Sequence, residues 1–141
     1  MVNIFMLLII NAISALTSLI LGVLFAHVFQ FKLLAHQKSM FQIALHYQQM
    51  YSFLLTVLCL FSITQKNLCK IKMFHFSLLV LTVGFIVFSS SLYFLVFTNI
   101  SLFGLFAPVG GICLILGWCF FIVSSVRIVK LYHCNDEGRF N

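Results

Sequence analysis

Long tracts without a charged residue are the feature of this sequence that most constrains its fold. They cover residues 1–31, 39–65 and 73–126. A helix that crosses about 30 Å of hydrocarbon needs roughly 20 apolar residues, and a Lys or Arg at its centre costs about 2.5–3.5 kcal/mol. The first two tracts therefore accommodate one membrane-spanning helix each, and the third accommodates two helices with a turn between them. The predicted spans cover about residues 3–26, 41–64, 74–98 and 105–129.

Composition excludes the other classes of fold. Charged residues make up 7% of the 141 residues and apolar residues 63%, whereas a soluble domain is roughly a quarter charged. Disorder needs low hydrophobicity and high charge, and a membrane β-barrel needs short alternating segments that are absent here. The sequence therefore predicts an all-α integral membrane four-helix bundle. A single transmembrane domain covers residues 1–141, and its last part, residues 130–141, is predicted to be a short cytoplasmic tail.

Small residues at regular spacing predict how the helices pack, because close approach between helices in lipid depends on small side chains. The stripes are Ser14, Ser18 and Gly22 in the first helix, Ser77, Gly84 and Ser91 in the third, and Gly110, Gly117 and Ser124 in the fourth. A period of seven keeps one seam facing a partner helix. We therefore expect the third and fourth helices to form a tight antiparallel hairpin. Its turn is expected near residues 99–108, with Pro108 in the first turn of the fourth helix.

The distribution of Lys and Arg predicts the orientation of the chain in the membrane. Four spans place both termini and the second loop on one side, and six basic residues lie there: Lys66, Lys70, Lys72, Arg127, Lys130 and Arg139. The other side has Lys32 and Lys38. Positive residues favour the cytoplasmic side, so both termini are expected in the cytoplasm, at the inner (plasma) membrane if the source is bacterial. The mixed stretch at residues 31–41 is predicted to lie along the outer interface.

Polar residues inside the spans supply the candidate sites. Gln42, His46 and Gln49 share one face of the second predicted helix, and polar groups in a span normally face the bundle interior. Together with Tyr93 they predict either a small polar cavity or hydrogen bonds that hold helices together. His27 and His46 are both predicted near the outer side and could meet as haem or metal ligands, but no ligand motif with short spacing supports this interpretation.

Most kinds of chemistry lack the residues they need. Both acidic residues, Asp136 and Glu137, lie outside the spans, which argues against a carboxylate-driven proton antiporter. The five cysteines form no C-x-x-C pair, so neither a disulfide framework nor a zinc site is indicated. The basic residues form no basic domain, so nucleic acid is not an expected partner. We expect no enzyme, no metal and no cofactor.

One run of residues resembles a known family. Residues 107–111 read Ala-Pro-Val-Gly-Gly, and Gly117-Trp118 follows after five apolar residues. This run, including Gly111 and Trp118, is similar to the closing segment of the domain-of-unknown-function family 423, small four-span membrane proteins that include eukaryotic transmembrane protein 256. His27 at the end of the first helix and Ser91-Leu92-Tyr93 in the third also resemble that family. The resemblance implies four-span architecture and membrane location, and it implies no activity.

Three hypotheses for function follow from the sequence. The first is a non-enzymatic protein of the lipid bilayer that acts through helix–helix contacts, with a second copy or with another membrane protein. The second is a passage for a small molecule or ion around Gln42, His46, Gln49 and Tyr93. The third is a haem- or quinone-linked redox role for His27 and His46.

Overall fold

A computed structural model of the chain describes residues 3–64 and 72–137. Within these residues all regular secondary structure is helical, and no strand is present. Four long helices are formed: α1 (Ile4–Lys32), α2 (Ala35–Thr64), α3 (Lys72–Thr98) and α4 (Phe106–Glu137). The apolar parts of all four are long enough to cross a membrane. The predicted fold class, an all-α bundle of four spans, is confirmed.

Helix α1 begins with a side-chain cap and contains a local widening near its end. The backbone N–H of Phe5 donates to Asn3 Oδ1 at 3.2 Å, which satisfies one of the free amides at the helix start. Residues Phe25–Phe29 form a π-helical turn before the α-helix resumes to Lys32. The helix is thus continuous through His27 and ends six residues beyond the predicted span.

The link between α1 and α2 is shorter than predicted. Only Leu33 and Leu34 separate the two helices, and the stretch expected along the outer interface is instead the end of α1 and the start of α2. Phe41 is fully buried and packs on Phe25 with ring centroids 5.1 Å apart. The stretch is therefore helical on both sides of Leu33 and Leu34, and its place along the outer interface stays a prediction.

Helices α3 and α4 form the predicted antiparallel hairpin, which is confirmed as the closest helix pair. Asn99 ends α3 with φ 56°, a left-handed conformation that Asn tolerates better than most residues. A 3₁₀-helix (Ser101–Leu105) leads into α4. Pro108 lies in the first turn of α4, where a missing N–H costs little.

The helices pack in chain order, α1 on α2, α2 on α3 and α3 on α4, with a smaller contact between α1 and α3. Helix α4 extends to Glu137, so residues 130–137 continue the helix where a tail was expected. Lys66, Lys70 and Arg139, on which the orientation partly depends, lie outside the described residues. Orientation in the membrane therefore stays a prediction.

Candidate functional site

Gln48 is the centre of a hydrogen-bond network that joins three helices. It lies on α2 and is 8% exposed. Its Nε2 donates to Ser14 O at 3.1 Å and to Thr17 Oγ1 at 3.1 Å, both on α1, and the Tyr93 hydroxyl of α3 donates to its Oε1 at 2.8 Å. An amide in a membrane bundle needs such partners because hydrocarbon offers none. The network fixes α1 and α3 against α2 near the middle of the bundle.

A cavity of about 210 Å³ lies beside this network, between α1 and α3. Ser89 lines it and is 2% exposed, yet its hydroxyl has no hydrogen-bond partner among the described residues. A hydrogen bond also joins α1 and α3 directly: Asn11 Nδ2 donates to Thr82 Oγ1 at 3.2 Å. Polar side chains therefore line the contact between α1 and α3.

The structure separates Tyr93 from the other three residues predicted around a polar cavity. Gln42 and His46 are exposed and Gln49 is half-buried; all three line one open groove of about 480 Å³ beside Phe25. Tyr93 lies inside the bundle on Gln48 and does not line that groove. The expectation that Gln42 and His46 face the interior was wrong, because the buried face of α2 carries Gln48 instead.

The histidines are distributed over the molecule. His27 and His36 are exposed, and His75 Nε2 lies 3.0 Å from Ser62 Oγ at the end of the bundle away from His46. His27 does not line the groove that His46 lines. Over residues 3–64 and 72–137, no cluster of three or more His, Cys, Asp or Glu side chains is arranged to hold a metal ion.

The small residues of the predicted stripes lie between helices. A Cβ placed on Gly110 would be 2.6 Å from the backbone N of Phe88, and one on Gly117 would be 2.7 Å from Leu81 Cγ. A Cβ on Gly84 would be 3.1 Å from the backbone N of Leu114. Buried serines continue the same contacts: Ser18, Ser77, Ser91 and Ser124. The two backbones of the hairpin thus approach as closely as glycine permits.

Two members of the first-helix stripe face α2. Ser14 accepts a hydrogen bond from Gln48, and a Cβ on Gly22 would lie 3.5 Å from Gln49 Nε2, an ordinary contact distance. Gly111 differs from the other predicted packing residues, because a Cβ there would meet nothing within 4 Å. Its side of α4 is open.

An aromatic groove lies between α2 and α4 and encloses about 430 Å³. Its lining consists of His46, Tyr47, Met50, Tyr51, Leu54 and Trp118. The indole Nε1 of Trp118 donates to the Tyr51 hydroxyl at 3.0 Å, and the rings of Tyr47 and Tyr51 are stacked with centroids 6.1 Å apart. We refer to these six residues as the aromatic groove.

Helix α4 carries a second seam on the side away from α3. Its members are apolar or small, all exposed, and recur with alternating steps of three and four: Val109, Ile112, Leu116, Cys119, Val123 and Val126. We call them the outer seam. This is the heptad spacing by which helices pair, and α4 uses the same spacing to pack Gly110 and Gly117 on α3.

Two features of the structure go beyond the four residues predicted around a polar cavity. Gln48 follows the buried positions Phe41 and Ala44 and precedes Ser52 and Leu55 at helical spacing, and this periodicity of small and apolar residues marks the buried face of α2. Weighing it would have identified Gln48. The pairing of Tyr51 with Trp118 has no signal in the sequence, since the two residues are 67 positions apart.

Comparison with known proteins gives consistent matches. The family model described as a protein of unknown function (DUF423) matches residues 21–111. The chain is 32% identical over 123 residues to the UPF0382 inner membrane protein YgdD of Escherichia coli (strain K12), covering 87% of this chain and 91% of that protein. It is 31% identical over 120 residues to a UPF0382 membrane protein of Staphylococcus aureus, covering 84% and 93%. No solved structure matches.

Proposed function

Since the chain belongs to the DUF423 family of unknown function, whose matched relatives are named as membrane proteins, we propose that it acts in the bilayer through lateral helix–helix association. The observation that carries this proposal is the outer seam of α4. Apolar residues facing lipid are ordinary, but six exposed positions in strict heptad register match the geometry of a helix pair. The partner is a second copy of the chain.

Symmetry makes the pairing specific. Two copies inserted in the same direction are related by a two-fold axis along the membrane normal, so their α4 helices run parallel and equivalent heptad layers meet. Leu116 would then contact its own counterpart, and so would Cys119, which is exposed. The native thiol of Cys119 is therefore a built-in reporter of the contact.

Oxidative cross-linking in membranes tests the proposal. Copper phenanthroline is expected to convert the chain into a covalent dimer, and Cys119→Ser is expected to abolish this product. Cys113→Ser is the matched control, because Cys113 faces α3, where its Cβ would lie 3.2 Å from a Cβ on Gly84. Absence of a dimer in the unmodified chain, or a dimer that persists in Cys119→Ser, would contradict the proposal. Native mass spectrometry in mild detergent gives an independent mass for the assembly.

The second candidate function is passage of a small molecule or ion. It is supported by the open groove of about 480 Å³ that Gln42, His46 and Gln49 line together, because polar groups at a span are often functional. The test is solute flux into liposomes that contain the chain. Flux that is unchanged by His46→Ala and Gln49→Ala would contradict this function, whereas loss of flux in both variants would support it.

A further inference from the structure

The aromatic groove lies at a depth where polar side chains are unusual. Helix α2 has 30 residues and, at about 1.5 Å per residue, is about 45 Å long. Tyr51 lies within about 5 Å of its midpoint by the same rise per residue, which is well inside hydrocarbon about 30 Å thick. Trp118 lies similarly near the centre of the apolar segment Leu102–Val129. Trp and Tyr are normally enriched at the membrane interfaces instead.

The hydrogen bonds of the groove leave donors without acceptors. Indole N–H can only donate, so Tyr51 Oη accepts from Trp118 and its own proton points elsewhere. Among the described residues, no acceptor takes the hydroxyl proton of Tyr51 or of Tyr47. His46 is exposed in the same groove. Hydrocarbon cannot satisfy these donors, and an unsatisfied hydroxyl there costs several kcal/mol.

The missing partner is an acceptor that can reach the bilayer centre. A backbone carbonyl of a packed helix can accept a second hydrogen bond, as Ser14 O does from Gln48, but no carbonyl of the described residues accepts from Tyr51 or Tyr47. The ester carbonyls of phospholipids are held near the headgroups, roughly 15 Å from the midplane of a core about 30 Å thick. A ring carbonyl on a molecule without a charged headgroup can reach the bilayer centre, because no headgroup holds it near the membrane surface. Such a planar ring can also stack on aromatic side chains, which Tyr47, Tyr51 and Trp118 provide.

We propose that the aromatic groove binds a lipid-soluble ring-carbonyl compound of the isoprenoid-quinone class. A carbonyl oxygen accepts from the Tyr51 hydroxyl, the ring stacks against Tyr47 and Trp118, and the tail lies along Met50 and Leu54. The volume of about 430 Å³ is in the range of about 300–1,000 Å³ that small-molecule sites occupy. This proposal concerns binding alone and is independent of association through the outer seam, which lies on another side of α4.

Trp118 makes the test direct, because it is the single Trp of the sequence and lies in the groove. The full chain in nanodiscs is titrated with decylubiquinone while Trp fluorescence is recorded. Saturable quenching is expected. Tyr51→Phe keeps the ring and removes one hydrogen bond, so the Kd is expected to rise about tenfold. Leu54→Phe narrows the groove with Tyr51 intact and should also weaken binding.

Two controls separate binding from collision in the bilayer. Tyr93→Phe removes a hydroxyl that bonds Gln48 outside the groove, and it should leave the Kd unchanged. Decylbenzene, which has the tail and a ring without carbonyls, should fail to displace decylubiquinone. Quenching that rises linearly with concentration, or a Kd that Tyr51→Phe and Leu54→Phe leave unaltered while circular dichroism shows intact helices, would overturn the proposal.

Discussion

At the scale of single residues, two adjacent glycines of α4 face different surroundings. Gly110 lies against α3, and a Cβ on it would be 2.6 Å from the backbone N of Phe88. Backbone cannot move as a flexible side chain can, so we expect Gly110→Ala to lower the free energy of unfolding by about 1–3 kcal/mol. Thermal unfolding in mild detergent measures the change.

The neighbouring substitution is the control. A Cβ on Gly111 meets nothing within 4 Å, and Ala has a helix propensity about 1 kcal/mol better than Gly. Gly111→Ala should therefore leave the unfolding temperature unchanged or raise it. Equal losses in both variants would show that the close approach of α4 to α3 does not determine stability.

Two adjacent glutamines of α2 make a second matched pair. Gln48 bonds both α1 and α3, whereas Gln49 is half-buried and its side chain has no hydrogen bond to another described residue. Interhelical hydrogen bonds in membranes contribute about 0.6 to 1.7 kcal/mol. We expect Gln48→Leu to cost about 1–3 kcal/mol, since the Tyr93 hydroxyl also loses its acceptor. Gln49→Leu should change stability by less than about 0.5 kcal/mol, and a larger effect there would contradict this assignment.

At the scale of elements, the end of α3 depends on both a conformation and a contact. Asn99 has φ 56°, and Gln37 at the start of α2 donates to its Oδ1 at 2.8 Å. Asn99→Gly keeps the left-handed conformation and removes only the hydrogen bond, so a loss of about 0.5–1.5 kcal/mol is expected. Asn99→Val adds the strain of a β-branched residue at positive φ, a further 1–3 kcal/mol or so.

Urea or thermal unfolding of the two Asn99 variants distinguishes these contributions. If Asn99→Val is no worse than Asn99→Gly, the left-handed conformation is not what ends α3. The 3₁₀-helix that follows (Ser101–Leu105) would then be the element that sets the turn.

At the scale of the whole molecule, orientation in the membrane is the main open prediction. The bias of six basic residues on one side to two on the other favours cytoplasmic termini. A reporter fused after the last residue tests it in bacteria: green fluorescent protein should fluoresce and alkaline phosphatase should be inactive. The opposite pair of results would reverse the orientation. Because the proposed pairing of the outer seam joins parallel helices, dual orientation would also weaken the proposed association.

Much of the architecture could be predicted because one physical constraint controls it. Charges cannot stay in hydrocarbon, so the gaps between them locate four spans without any knowledge of contacts. Small residues at a period of seven likewise predict the α3–α4 hairpin, because only such residues allow backbones to approach. These signals lie within one segment of the sequence, as the spacing of seven between Gly110 and Gly117 does. They can therefore be recognised without knowledge of tertiary contacts.

The candidate sites depend on which face of α2 is buried. Only the tertiary structure decided which face that is. Gln42, His46, Gln48 and Gln49 are similar in type, and only packing against α1 and α3 directs Gln48 inward and leaves His46 exposed. The sequence by itself determined that the chain folds in a lipid bilayer, how many helices span it and which two helices form the hairpin. Only the tertiary structure brought Tyr51 to Trp118 from 67 positions away, because a contact between distant segments has no periodicity within either of them.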